Sequence, residues 1–312
     1  MKTSFLFPGQ GSQYVGMAAD LLSVGAAKRV LEAADSILGI PLTEIMFGTG
    51  QPELDEERLR QTDVTQPALF VHSMAVNAVL TERGLRPDVV AGHSLGEYSA
   101  LCAAAALSFE DGLRIVRVRG QLMAEAGIRR PGAMAAVLGV ENEAVVDICT
   151  AASTETEVVQ PANYNAPGQI VISGDGAAVE RAMTVASEHG AKRVIPLPVS
   201  GAFHSPLMAY AREGLAAALE NLTIAAPSCP VYLNVTAEPT TDPAEIRNAL
   251  LDQLTAPVKW SQTLLHMQRD EVVRFVEVGA GKVLSGLVKR TIGRDADAVT
   301  VGTAAELDSI VQ

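Results

Sequence analysis

Three short runs of β-favouring residues each break off at a glycine-containing turn and give way to a helical pattern. They are SFLF (residues 4–7) ahead of PGQGSQ, DVVAGHS (88–94) ahead of an alanine-rich stretch, and VVRFVEVGAGK (272–282) ahead of VLSGLVKR. A strand that must be followed by a helix before the next strand implies parallel pairing with crossover helices, so the chain reads as an α/β fold. PVYLNVT (230–236) is a fourth strand candidate. In such sheets ligands bind beyond the carboxyl ends of the strands, which is where these glycine turns lie.

The middle of the chain has a different rhythm. GAMAAVLGV, a helical stretch from Glu141, TEVVQPANYN, QIVISGDG, a second helix and AKRVIPL follow in the order β-α-β-β-α-β. In the second helix Val179, Ala182, Met183 and Ala186 fall at i, i+3, i+4 and i+7, an apolar face. This order predicts a small ferredoxin-like subdomain over residues 131–196, inserted into a large domain built from residues 1–130 and 197–312. At 312 residues the chain is long enough for a substantial buried core.

Charge and cysteine usage narrow the function classes. A formal net charge of −12 disfavours generic binding to nucleic acid or to an anionic membrane. Cys102, Cys149 and Cys229 are widely spaced, so neither a disulfide framework nor a zinc site is expected. The apolar run at the N-terminus is broken by Pro8 and Gly9, too early for a signal peptide, and no apolar stretch is long enough to span a bilayer. These features predict a soluble, cytoplasmic protein.

Residues 92–96, GHSLG, form the one G-x-S-x-G of the chain, placed where a strand ends and a helix begins. Ser94 there is either a nucleophile at a helix N-terminus, whose N–H groups and dipole favour developing negative charge, or an ordinary serine N-cap. A serine nucleophile needs a base, normally histidine. His72 and His266 lie in helical stretches, His189 sits at a helix end, and His93, next to Ser94, is expected to point away from the hydroxyl. His204 in PLPVSGAFHSPLM follows a β-like run and a glycine and precedes a helix, a setting that suits a catalytic loop residue or a helix cap. Asp111, Asp147 and Asp175 read as helix-start or turn residues, which leaves the acid of a triad unfilled. A backbone carbonyl or an amide is able to hold the imidazole tautomer instead.

Two further glycine loops do not fit phosphate motifs. GQGSQYVG (9–16) lacks the third glycine of the dinucleotide fingerprint, and GAGKV (279–283) lacks the spacing and hydroxyl of a Walker A loop. The first instead offers the Gln10 N–H as one half of an oxyanion hole, with the Leu95 N–H as the other.

Taken together, FPGQGSQ, TQPAL, GHSLGE, VRVRGQLM, NYNAPGQIVISG, GAFHSPLM and QLTAPVKW resemble the malonyl-CoA:acyl carrier protein transacylases and the related polyketide acyltransferase domains. The motifs run in register from Phe7 to beyond Trp260. The resemblance implies an α/β-hydrolase-like large domain, a ferredoxin-like small one and an active site between them. It implies that Ser94 is acylated, that His204 is its base, and that the amides of Gln10 and Leu95 hold the oxyanion. Arg119 matches the arginine that takes the free carboxylate of the malonyl group. Gln253 matches a glutamine whose backbone carbonyl orients the histidine, and Asn163 matches an asparagine near the pocket. Malonyl-CoA and an acyl carrier protein are the implied partners, with no cofactor and no metal.

Arg119 has physical support of its own. Residues 108–126 read as a helix on which Arg119 shares a face with Ile115 and Met123. A guanidinium on an apolar face requires an anion, either a substrate carboxylate or an internal Asp or Glu, unless it snorkels to the surface. Phe203 in AFH looks like the malonyl-preferring form of the family, because its ring restricts room for an α-methyl. One methyl is worth about 1–3 kcal/mol of discrimination. The alternatives are a discrete acyltransferase serving polyketide synthases, a serine thioesterase or esterase, and a non-catalytic protein of the same fold. Arg129, Arg130, Lys192, Arg193, Lys282, Lys289 and Arg290 are the candidate contacts for an acidic carrier protein.

Overall fold

The computed structural model describes residues 2–310. Ten strands occur among them: β1 (Lys2–Phe7), β2 (Val89–Gly92), β3 (Gly132–Leu138), β4 (Val159–Ala166), β5 (Gln169–Asp175), β6 (Arg193–Pro196), β7 (Val231–Tyr232), β8 (Pro239–Thr240), β9 (Val272–Val278) and β10 (Asp297–Val301). They form two sheets. The larger has the order β10-β9-β1-β2-β7-β8, parallel throughout except for β8 at its edge. The smaller is antiparallel, in the order β4-β5-β3-β6, with helices Asn142–Ala152 and Gly176–Glu188 on one face.

The period-2 pattern of the strands decides what each face buries. Phe5, Phe7 and Val90 face a core shared with helices Gly25–Leu38, Thr62–Glu82 and Phe109–Arg129. Leu6, Val89 and Ala91 face the opposite layer, with Trp260, Leu264 and Val288 of helices Trp260–Arg269 and Val283–Thr291. With both faces covered, the paired stretches 5–7 of β1 and 89–91 of β2 are apolar at every position, as buried parallel strands usually are. In the small sheet Val137, Ile170 and Ile172 pack on its two helices, while Ala136, Val171 and Asn163 turn to the other side.

Three elements depart from the sequence reading. PVYLNVT yields a strand of only two residues, Val231–Tyr232, because Asn234 spends its backbone elsewhere: its carbonyl accepts from Lys259 N–H at 2.9 Å and its N–H reaches Glu97 Oε1 at 3.3 Å. The helix expected over 108–126 runs from Phe109 to Arg129, with Ser108 as its cap accepting from Asp111 N–H. Asp147 is neither a helix start nor a turn; it lies inside helix Asn142–Ala152, whose first turn holds Glu143 instead.

No described helix is long and apolar enough to cross a membrane. The three cysteines are free.

Candidate active site

The pairing of β1 with β2 sets Phe7 opposite Gly92, so the loops leaving both strands emerge side by side. Their approach is close. A Cβ on Gly92 would stand 1.8 Å from the Gly96 carbonyl oxygen, and one on Gly96 would stand 2.1 Å from that of Phe7. Only glycine fits at either position. The turn they permit places Ser94 at φ +52°, in the left-handed region rarely used by residues with a side chain. Asn234 braces it from below: Oδ1 accepts from the Ser94 N–H at 2.7 Å and Nδ2 donates to the Gly92 carbonyl at 2.7 Å.

Ser94 is therefore no helix cap. The cap position of helix Gly96–Ala103 belongs to Leu95, and the Ser94 hydroxyl turns instead to His204 Nε2 at 2.8 Å. His204, also at positive φ (+57°), is 3% exposed. The next residue, Ser205, caps the following turn, so His204 does not. His204 Nδ1 lies 2.7 Å from the Gln253 carbonyl, an acceptor, so Nδ1 carries the proton and Nε2 presents its lone pair to the hydroxyl. Gln160 of β4 donates to the His204 carbonyl at 2.9 Å, tying the small sheet to the loop that carries His204. Burial, with the positive charge of Arg119 nearby, holds the imidazole pKa down at about 3, so His204 stays neutral.

Arg119 lies one helical turn from Ile115 and from Met123, and all three are buried. Its Nη1 donates to Gln66 Oε1 at 2.7 Å, and its Nη2 to Gln253 Oε1 at 2.9 Å and to the Ser94 hydroxyl at 3.1 Å. The Tyr98 ring lies under it, 5.6 Å from the guanidinium carbon. No internal carboxylate pairs with it among the described residues. Neither the Gln10 nor the Leu95 backbone N–H finds an acceptor among them, and both residues line the same pocket as Ser94.

That pocket encloses about 380 Å³ between the two sheets. Its walls bring together the residues expected at the acyl site, except Gln253, whose carbonyl meets the far side of the His204 ring: Gln10, Leu95, Arg119, Met123, Asn163 and Phe203 meet Ser94 and His204 there, and none of the seven basic docking candidates lines it. Met123 Sδ accepts from Gln66 Nε2 at 3.3 Å, which fixes the amide that serves Arg119. Such a set is able to deprotonate a hydroxyl, attack a carbonyl, hold an oxyanion on two amides and bind a carboxylate in the same step.

Sequence reasoning missed several residues. His93 does point away from Ser94, bonding Asn165 at 2.8 Å and meeting the Trp260 ring edge-on at 5.4 Å, yet it and Asn165 line the pocket. Asn234, Gln66 and Glu97 are wholly or almost wholly buried polar residues that support the site from behind. Burial raises the Glu97 carboxyl to about 7, against the N–H groups of Asn234 and Gln253 and the charge of Arg119, which lower it. Of the seven basic residues considered for docking, Arg129 is engaged with Glu125 at 2.7 Å and Arg130 with Asp175 at 3.1 Å.

Residues 4–307 match the model of the acyl transferase domain family. The chain is 45% identical to the malonyl CoA-acyl carrier protein transacylase of Bacillus subtilis over 312 residues, covering 100% of this chain and 96% of that protein. It is 44% identical to that of Haemophilus influenzae, covering 99% and 98%. Among solved structures, the acyl carrier protein S-malonyltransferase of Vibrio cholerae matches with a TM-score of 0.93 and 43% identity, over 99% of this chain and 100% of that one. A malonyl-transacylase in complex with a type II PKS acyl carrier protein gives a TM-score of 0.93 and 38% identity, over 100% and 99%. These relatives are transacylases, and the esterase reading of the G-x-S-x-G motif is set aside. Shared sequence over its whole length and the acyl-transfer geometry of its pocket agree: the chain belongs to the acyl transferase domain family.

Proposed function

We propose that this chain moves a malonyl group from malonyl-CoA to the phosphopantetheine thiol of an acyl carrier protein through an ester on Ser94. The observation that carries this reading is the Ser94 hydroxyl held at once by His204 Nε2 at 2.8 Å and by the buried Arg119 guanidinium at 3.1 Å. A nucleophile within reach of an unpaired cation suits an acyl group that bears its own carboxylate. His204 Nε2 takes the hydroxyl proton as Oγ attacks the thioester carbonyl. The tetrahedral oxyanion rests on the N–H groups of Gln10 and Leu95. Collapse breaks the C–S bond, and His204 returns its proton to the CoA sulfur. The carrier thiol then gives its proton to His204, attacks the seryl ester, and Ser94 leaves with that proton restored.

In this reading Arg119 takes the malonyl carboxylate, Met123 and Asn163 wall the acyl pocket, and the Phe203 ring disfavours an α-methyl. The Gln253 carbonyl keeps the histidine tautomer. The large parallel sheet with its helices corresponds to a hydrolase-like domain of residues 1–130 and 197–312. Residues 131–196, whose sheet order and antiparallel pairing are those of a ferredoxin-like unit, form the small one. We assign the reaction no cofactor and no metal, and the free thiols favour a reducing, cytoplasmic compartment.

Isotope-labelled malonyl-CoA with a phosphopantetheinylated carrier protein tests the reading. Label should pass to the carrier faster than it appears as free malonate; rapid release of malonate with no loaded carrier would overturn the transferase assignment.

A further inference from the structure

Arg119 is a buried cation whose partners, Gln66, Gln253 and Ser94, are all neutral. It is 1% exposed, and its Nε–H has no acceptor among the described residues. A guanidinium in that position is costly unless a negative charge stands near. The network supplies one at one remove. Glu97 is 0% exposed, in a helix that is otherwise almost entirely apolar. Its Oε1 accepts from the Asn234 N–H at 3.3 Å and its Oε2 from Gln253 Nε2. Gln253 Oε1 in turn accepts from Arg119 Nη2 at 2.9 Å, and its Nε2 also donates to the Ser94 carbonyl at 3.0 Å. A single primary amide thus stands between carboxylate and guanidinium, its N–H end toward the anion and its oxygen toward the cation. Bonds aligned in this way strengthen one another in a dry interior.

We propose that Glu97 is a positioning residue that acts as the relayed counter-ion of Arg119. It stands near enough for the guanidinium to stay buried and charged. Gln253 holds it off, so the remaining guanidinium donors stay available to the carboxylate of an acyl group. A direct Glu97–Arg119 contact would instead occupy the donors that the substrate needs. The inference rests on the carboxylate-binding role given to Arg119 above.

Two substitutions at opposite ends of the relay should move malonyl binding in opposite directions. Assayed above the pKa of about 7 that burial gives Glu97, Glu97→Gln keeps the shape and removes the charge that opposes an incoming carboxylate, so the KM for malonyl-CoA should fall about fivefold, with kcat changed less. Gln253→Met keeps the backbone carbonyl that orients His204 but lets Arg119 and Glu97 close on each other, so that KM should rise about fivefold or more. In Glu97→Gln the rate at which a neutral fluorophosphonate labels Ser94 should stay within about twofold of wild type, because no carboxylate is involved. Both KM values moving in the same direction, or KM and labelling rate changing by a common factor, would overturn the proposal. If Glu97→Gln does not fold, an unchanged KM in Gln253→Met overturns it alone. A wild-type enzyme that takes the fluorophosphonate but not malonyl from malonyl-CoA would instead sink the malonyl reading itself.

Discussion

His204 and Glu97 are buried within one hydrogen-bonded network, and burial moves their pKa values in opposite directions, to about 3 from 6.5 and to about 7 from 4.5. Folding therefore shifts a proton preference from histidine to glutamate. For His204 the unfolded chain binds the proton more tightly, so its contribution is present above pH 6.5 and is lost as pH falls towards 3. For Glu97 the folded chain binds it more tightly, so its contribution is present below pH 4.5 and is lost as pH rises towards 7. Between pH 4.5 and 6.5 the two cancel, and this pair should leave stability flat. Below pH 4.5 only the loss from His204 remains. In His204→Ala the glutamate acts alone, and stability relative to wild type should rise as pH falls from 6.5 to 4.5, by up to about 1.4 kcal/mol per pH unit. Urea unfolding of both proteins across that range is the check, and parallel profiles would refute the assignment. At this scale the sequence was informative for Ser94, His204 and Arg119, because each sits in a motif or on a face where its chemistry is out of place. Asn234 sits in no such motif, and Gln66 lies within TQPAL with nothing there to mark it as a partner of Arg119. Glu97 did leave a trace, as a lone carboxylate in the apolar helix GEYSALCA.

The element that shapes the site is the turn from β2 into helix Gly96–Ala103. Its tightness is set by backbone contacts, since the nearest atoms to a Cβ on Gly92 are the Gly96 carbonyl and the Glu97 nitrogen at 1.8 to 2.4 Å. Backbone cannot swing aside as a side chain does. Gly92→Ala should cost about 3 kcal/mol or more in denaturant unfolding and should lower acyl transfer with it, because Ser94 is displaced. Wild-type stability in that variant would show the turn to be looser than described. The strand-to-glycine-to-helix rhythm made β1, β2 and β9 legible, since each is an apolar run with a clear stop. β7 was overread: VYLNVT alternates like a strand, but tertiary bonds to Asn234 end the pairing after Tyr232. Long-range hydrogen bonds of this kind leave no local pattern.

At the scale of the whole molecule, two sheets supply one pocket. The large sheet brings the Gln10 loop and Ser94, while the small sheet contributes Asn163, Val171 and the Gln160 bond to the His204 carbonyl. The change from parallel to antiparallel texture near residue 131 was visible in sequence. How the small sheet's second face closes over Ser94 was not, because Ala136 and Val171 look like any half-buried strand residues. The proposed reaction requires a covalent malonyl ester at Ser94. Intact-protein mass spectrometry after brief exposure to malonyl-CoA, without carrier protein, measures it most directly. Wild type should gain the mass of one malonyl group and Ser94→Ala should gain none; an equal adduct on both would contradict the account.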